Sequence, residues 1–116
     1  MAEGLLLYRL LDAAARSEAY PVEEINDYLR THPERRQAVA ETLSYFDPRA
    51  HVGRVRATTM LPSSDGEWLA PLRAAFGAET QDYRLTHRGQ VDHEHLDAWL
   101  AERLGAEPRS RFLQAV

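Results

Sequence analysis

The sequence predicts a helix-dominated α+β protein, and three observations carry that prediction. Residues 21–46 hold two apolar runs at helical spacing, Val22, Ile25 and Leu29, then Val39, Leu43 and Phe46, with only Thr31-His32-Pro33-Glu34 between them. From Val52 the apolar period falls from near 3.6 to two, which is the signature of a strand. Near the other end, Leu96, Trp99, Leu100 and Leu104 lie along one side of a helix that Gly105 and Pro108 terminate. The predicted order is helix, helix, helix, strand, helix, strand, helix, with a small two-stranded sheet.

In chain order, residues 3–17 read as the first helix, with Leu6, Leu7, Leu10, Leu11 and Ala14 in a broad stripe and Leu5 and Tyr8 outside it. A stripe this wide suits a central helix contacted on two sides, or the surface of a homodimer. Pro21 opens the second helix, because its fixed φ suits the first helical position, and Glu23 and Glu24 sit at the positive end of the dipole. Pro33 stops that helix and starts the third, since the residue before a proline is pushed out of the helical region. The two helices must then meet at a steep angle.

The first strand is predicted to place Val55, Ala57, Thr59 and Leu61 on one face and Arg54, Arg56, Thr58 and Met60 on the other. After the turn 62–66, Ser64 with Glu67 has the form of a capping box for a helix carrying Trp68, Leu69, Leu72 and Phe76, closed by Gly77. Pro71 is discordant there, as a mid-helix proline removes a hydrogen bond, so the helix is expected to be short or bent. Residues 80–88 alternate again, with Arg84 and Arg88 on the polar face. Asp92 is expected to cap the last helix, with Val91 and Leu96 as a hydrophobic staple across the cap. Two strands alone make a marginal sheet, so they are expected to pair with each other and lean on the helices. Three helices followed by strands is similar to the outline of winged-helix domains, a likeness of architecture that no diagnostic residue carries. The expected organisation is one domain over residues 1–116: a three-helix half (1–47), a strand and helix half (48–105) and a tail (106–116) able to fold back through Phe112 and Leu113.

Composition bounds the chemistry. The chain has 116 residues, enough for one core, and 44% hydrophobic with 28% charged residues is ordinary for a soluble globular protein. It has no cysteine, which removes disulfides, thiol nucleophiles and cysteine-based zinc sites together. All fourteen cations are arginines, each a planar fork suited to carboxylate or phosphate. The N-terminus lacks the basic start and apolar run of a secretory signal, and no segment approaches membrane-spanning length, so a cytoplasmic protein is expected.

No catalytic motif emerges. Ser63, Ser64 and Asp65 have no nucleophile elbow around them, and the six glycines are scattered singly with no phosphate loop. His93 and His95, two apart on a helix, point about 200° away from each other and cannot grip one metal. His93 with Asp97 is the better pair of ligands, and His87 would have to supply a third. No cofactor is implied.

Charge discriminates between binding functions. Residues 18–47 carry seven acids against three arginines, a balance of −4, whereas residues 48–91 carry six arginines against four acids, a balance of +2. A third helix whose outer face is Glu34, Gln37, Glu41 and Ser44 repels the phosphate backbone on which non-specific DNA affinity rests. The leading expectation is therefore a non-catalytic, protein-binding or regulatory module that offers Glu23, Glu24, Asp27, Glu34 and Glu41 to a basic partner surface. The alternative is a nucleic-acid binder using Arg54, Arg56, Arg84 and Arg88 on the strands, helped by Arg35 and Arg36. Those arginines could equally pair with the protein's own acidic helices.

Overall fold

The computed structural model describes residues 7–109. Its α+β architecture follows the predicted order: α1 (Leu10–Ala14), α2 (Glu23–Thr31), α3 (Arg36–Ser44), β1 (Thr59–Ser63), α4 (Ala70–Ala75), β2 (Thr80–Arg84) and α5 (Gly89–Leu104), with single 3-10 turns at Pro33–Arg35, Pro48–Ala50 and Val52–Arg54. Leu5, Leu6, Phe112 and Leu113, for which the sequence carries expectations, lie outside the described residues. The molecule is a flat, elongated body of 59 × 35 × 19 Å. Its radius of gyration is 17.6 Å, against about 13 Å for a compact chain of this length.

The two strands pair in parallel, Thr59 opposite Thr80 through Ser63 opposite Arg84, with α4 as the crossover between them. Parallel strands need such a crossover because no tight turn can join them. The first strand starts later than its alternating pattern suggests. Residues 52–54 form a 3-10 turn, so Val55, Arg54 and Arg56 precede β1. Gly53 and Gly77 explain the departure: a Cβ on Gly77 would lie 2.8 Å from the Gly53 carbonyl oxygen, so the two backbones touch where the pattern implies an extended strand. The second strand also ends early, at Arg84, and leaves Arg88 beyond it as the residue that precedes α5.

Pro71 does not kink α4. The helix begins at Ala70, so the proline occupies its first turn, where a missing N–H costs nothing. Asp65, not Ser64, accepts the backbone N–H groups of Glu67 and Trp68 that lead into it, at 3.1 and 3.2 Å. Leu72 from α4, Leu61 from β1, Leu69 and Tyr8 form the central apolar cluster, with Val52, Trp68 and Phe76 packed on it.

Tyr8 is the main surprise at the N-terminal end. It is 2% exposed although the helical stripe leaves it outside, and Leu7 is 41% exposed although the stripe includes it. The reason is Arg9, whose left-handed backbone (φ 48°) breaks the helical phase ahead of Leu10. Tyr8 then donates its hydroxyl to the Trp68 carbonyl and meets the indole edge-on, ring centroids 5.9 Å apart. The Arg9 and Arg16 guanidiniums lie 4.0 and 4.9 Å from the Trp68 ring centre, which adds a cation–π contact to the same junction.

The last helix starts three residues ahead of its expected cap. Asp92 sits in the first turn of α5 and reaches back across the loop, accepting from Thr86 N–H (3.0 Å), Thr86 Oγ1 (2.8 Å) and the Tyr83 hydroxyl (2.8 Å). It therefore clamps β2 to α5. Val91 is 40% exposed while Leu96 is buried, so no staple forms across this terminus. Leu100 and Leu104 are also exposed, and the buried side of α5 is Asp92, Leu96 and Ala101. The C-terminus follows expectation: Gly105 is left-handed (φ 64°), and the Ala106 N–H closes on the Ala101 carbonyl at 2.9 Å.

Burial pushes the Asp92 carboxyl upward, but the Thr86 N–H, the Tyr83 and Thr86 hydroxyls and the His87 N–H overcome it and hold the pKa below its ordinary value. The same hydrogen bond raises the Tyr83 phenol above 10.0. Replacing Asp92→Asn is expected to bring the Tyr83 pKa back toward 10.0, read from its ring resonances in an alkaline titration. An unmoved Tyr83 would show that the clamp is not formed in solution.

Candidate functional site

The α2–α3 hairpin owes its form to the residues at its ends. Glu23 and Glu24 occupy the first turn of α2 and Arg30 its last, each complementing the helix dipole. Pro33 then sets a single 3-10 turn, and α3 begins directly at Arg36. Both helices are nine residues long, too short to persist alone in water. Two anchors hold them. Asn26 donates its side-chain amide to the Ala14 and Ser17 carbonyls, at 2.8 and 3.3 Å, and so finishes α1 while fastening α2. Asp47 follows α3 and accepts from Arg9 N–H, Arg49 N–H and the Arg49 guanidinium.

Between those anchors, no residue from 15 to 46 is buried. Val22, Ile25, Leu29, Val39 and Leu43 are covered only in part, as an amphipathic face with one shallow support allows. Phe46, expected beside Val39 and Leu43, is 58% exposed because α3 ends at Ser44 and the chain turns through residues 45–46. Tyr20, Tyr28 and Tyr45 are exposed as well, at 81%, 40% and 75%. Tyr28, Ala38, Val39, Thr42, Leu43 and Arg35 line a shallow concavity of about 250 Å³ between the helices.

All five carboxylates expected to meet a partner are exposed on this hairpin: Glu23, Glu24 and Asp27 on α2, Glu34 in the 3-10 turn and Glu41 on α3. Their local contacts are light. Asp27 accepts from Arg30 at 2.8 Å, Glu34 lies 3.6 Å from His32 Nδ1 and Glu41 accepts from Gln37 at 3.2 Å. Exposed pairs of this kind hold charges loosely and are screened by salt. Glu24 and Tyr28, one turn apart, share a helical face, so a carboxylate and an aromatic ring are offered together. The aromatic component of this surface was absent from the charge argument. Its signal was Tyr28 four residues after Glu24, together with a Tyr-Phe pair at a helix end.

The arginines fare differently. Arg9, Arg30, Arg49 and Arg73 pair with Asp12, Asp27, Asp47 and Asp82. Of the six proposed to contact nucleic acid, only Arg84 stands on a strand. Arg54 ends a 3-10 turn, Arg56 lies in the link before β1 and Arg88 precedes α5, which corrects their assignment to strand faces. Arg35 and Arg36 flank the start of α3. No single face collects the six by element.

The histidine candidates are not drawn together either. Among the described residues, no group of three or more His, Asp or Glu side chains could hold a metal ion. His93 and Asp97 lie one turn apart on α5, while His95 stacks on Tyr83 with ring centroids 4.2 Å apart. Ser63, Ser64 and Asp65 line an open concavity of about 530 Å³ at the carboxyl ends of the two strands, together with Glu67, Arg73 and Arg84. Asp65 is spent there on backbone N–H groups and Asp82 on Arg73. Among the described residues, no helix is long and apolar enough to cross a membrane.

Comparison with protein-family models, curated protein sequences and solved structures yields no match to this chain.

Proposed function

We propose that this protein works by binding, as a docking module whose α2–α3 hairpin presents carboxylates and aromatic rings to a partner protein with a basic surface. One observation carries the reading: from residue 15 to residue 46 nothing is buried, while Glu23, Glu24, Asp27, Glu34 and Glu41 are all exposed. Two nine-residue helices with no buried residue gain stability from any partner that covers them. The exposed Tyr28, Tyr45 and Phe46 supply large rigid contact area, the residue class that anchors protein interfaces. The surrounding acids would steer a basic partner and set its orientation.

The test is capture of proteins from native lysate at low and moderate salt, with nuclease treatment in parallel. Capture is expected to survive nuclease, to weaken as salt rises, and to drop roughly tenfold or more in the variant carrying Glu23→Arg, Glu24→Arg and Asp27→Arg. Circular dichroism of the variant checks that the hairpin stays folded, because Glu23 and Glu24 also complement the α2 dipole. Undiminished capture by the folded variant would sink the reading, and capture that disappears with nuclease would transfer it to the arginines.

A further inference from the structure

We propose that the concavity between residues 53–56 and 77–78 is a binding site for a phosphate group, held by Arg54 and Arg56. This site uses none of the hairpin's carboxylates and meets the hairpin only through the Tyr45 carbonyl. The concavity measures about 610 Å³ and is lined by Gly53, Arg54, Val55, Arg56, Gly77 and Ala78, with two cations and no carboxylate. The lack of acid there is built into the chain. Residues 48–64 are the longest acid-free run in a protein that carries −4 overall. The nearest carboxylate in sequence is Glu79, and its Oε1 is engaged by the Gln81 side chain at 3.2 Å.

The two arginines belong to the set that the fold leaves without an ion pair among the described residues, a set that also holds Arg35, Arg36, Arg84 and Arg88. Arg9, Arg30, Arg49 and Arg73 are ion-paired, and Arg16 and Arg103 lie over tryptophan rings. Arg54 is oriented by a relay. His51 Nε2 lies 2.6 Å from the Tyr45 carbonyl and must donate to it, which leaves Nδ1 to accept from the Arg54 guanidinium at 3.4 Å. Arg56 follows two residues later, and both arginines line the same concavity. The glycine pair supplies the floor. A side chain at Gly77 would strike the Gly53 carbonyl oxygen at 2.8 Å, so the glycine at 77 lets the two backbones approach.

Two guanidinium forks match the several acceptor oxygens and the negative charge of a phosphate group. That group can come from a small phosphorylated molecule or from a nucleic-acid backbone. The experiment titrates the full chain with inorganic phosphate, a nucleoside 5′-monophosphate and a short DNA duplex, and follows backbone amide resonances. Phosphate and nucleotide are expected to move the amides of residues 53–56 and 77–78 first, and R54Q/R56Q to weaken binding at least tenfold, with R35Q/R36Q as an unchanged control. Tighter binding of the duplex, with a salt slope that shrinks in R54Q/R56Q, assigns the backbone as the source. Tighter binding of the nucleotide assigns a small ligand. The proposal is overturned if no shift occurs, if shifts spread over all exposed arginines alike, or if R54Q/R56Q binds as the parent does. The map of shifts in the parent protein needs no variant, so it stands even if R54Q/R56Q folds poorly.

Discussion

Truncating Leu72→Ala is expected to cost about 2–5 kcal/mol of folding stability, the range for emptying a leucine-sized space in a packed interior. Leu72 is 1% exposed and sits among Leu61, Leu69 and Tyr8, with Val52, Trp68 and Phe76 around it. It is also the one buried residue of α4, a six-residue helix that has no length with which to support itself. Because α4 is the crossover between β1 and β2, loosening it loosens the sheet as well. A chain of this length has total stability on the order of 6–17 kcal/mol, and an elongated body with few buried residues belongs at the lower end. Leu72→Ala is therefore expected to remove a large share of the whole. Urea unfolding followed by circular dichroism measures it. Leu104→Ala is the matched control: at 71% exposed, its removal is expected to change stability by less than about 0.5 kcal/mol. Equal costs at the two positions would mean that the Tyr8–Leu61–Leu69–Leu72 cluster is not the core.

That comparison also shows what the sequence can and cannot convey. Element type and order follow from period, and period is local: the 3.6 repeat around Val22, Ile25 and Leu29 and the turn at Pro33 needed no tertiary information. Failures arise where one distant contact overrides the local pattern. The alternation from Val52 is real, yet the touching backbones of Gly53 and Gly77 turn its first part into a 3-10 turn. That moves Arg54 and Arg56 off the strand. Tyr8 is buried although the stripe leaves it outside, because Arg9 is left-handed, a conformation tied to an Asp47 carboxylate thirty-eight residues away. Leu100 and Leu104 look like core by spacing, but α5 turns Leu96 and Ala101 inward, while Trp99 donates its N–H to the Gln81 side-chain oxygen at 2.8 Å. The acidic surface was legible because charge needs no partner to be counted. Its aromatic component was not, because Phe46 reads as core beside Val39 and Leu43 until the end of α3 at Ser44 leaves it uncovered.

Asp47 is where the acidic hairpin meets the rest of the molecule, and Asp47→Ala is expected to cost about 2–3 kcal/mol. The carboxylate is 7% exposed. It accepts from Arg9 N–H at 3.1 Å, Arg49 N–H at 2.9 Å, and Arg49 Nε and Nη2 at 3.0 and 2.8 Å, so one side chain joins α1, the end of α3 and the turn that follows. The Arg49 guanidinium it positions lies 5.6 Å from the Tyr8 ring centre, which links the pair to the apolar cluster. Alanine would strand the Arg9 N–H and release Arg49, whereas a surface pair of equal charge would cost little. Protonation should act in the same direction. Burial pushes the Asp47 carboxyl upward, but the Arg49 side chain and the N–H groups of Arg49 and Arg9 outweigh it and hold the pKa below 3.8. A lowered native pKa means that the stabilisation is fully present above the ordinary carboxyl value and is lost as pH falls through the native one. Unfolding midpoints measured from neutral pH down past 3.8 should therefore fall more steeply in the parent than in Asp47→Asn, which has already lost the charge. If the two curves run parallel, Asp47 is an ordinary surface carboxylate and the hairpin is fastened to the core by Asn26 alone. If they converge in acid, the docking surface owes its orientation to a charged joint, and capture by the hairpin should weaken in Asp47→Ala even though every exposed acid remains in place.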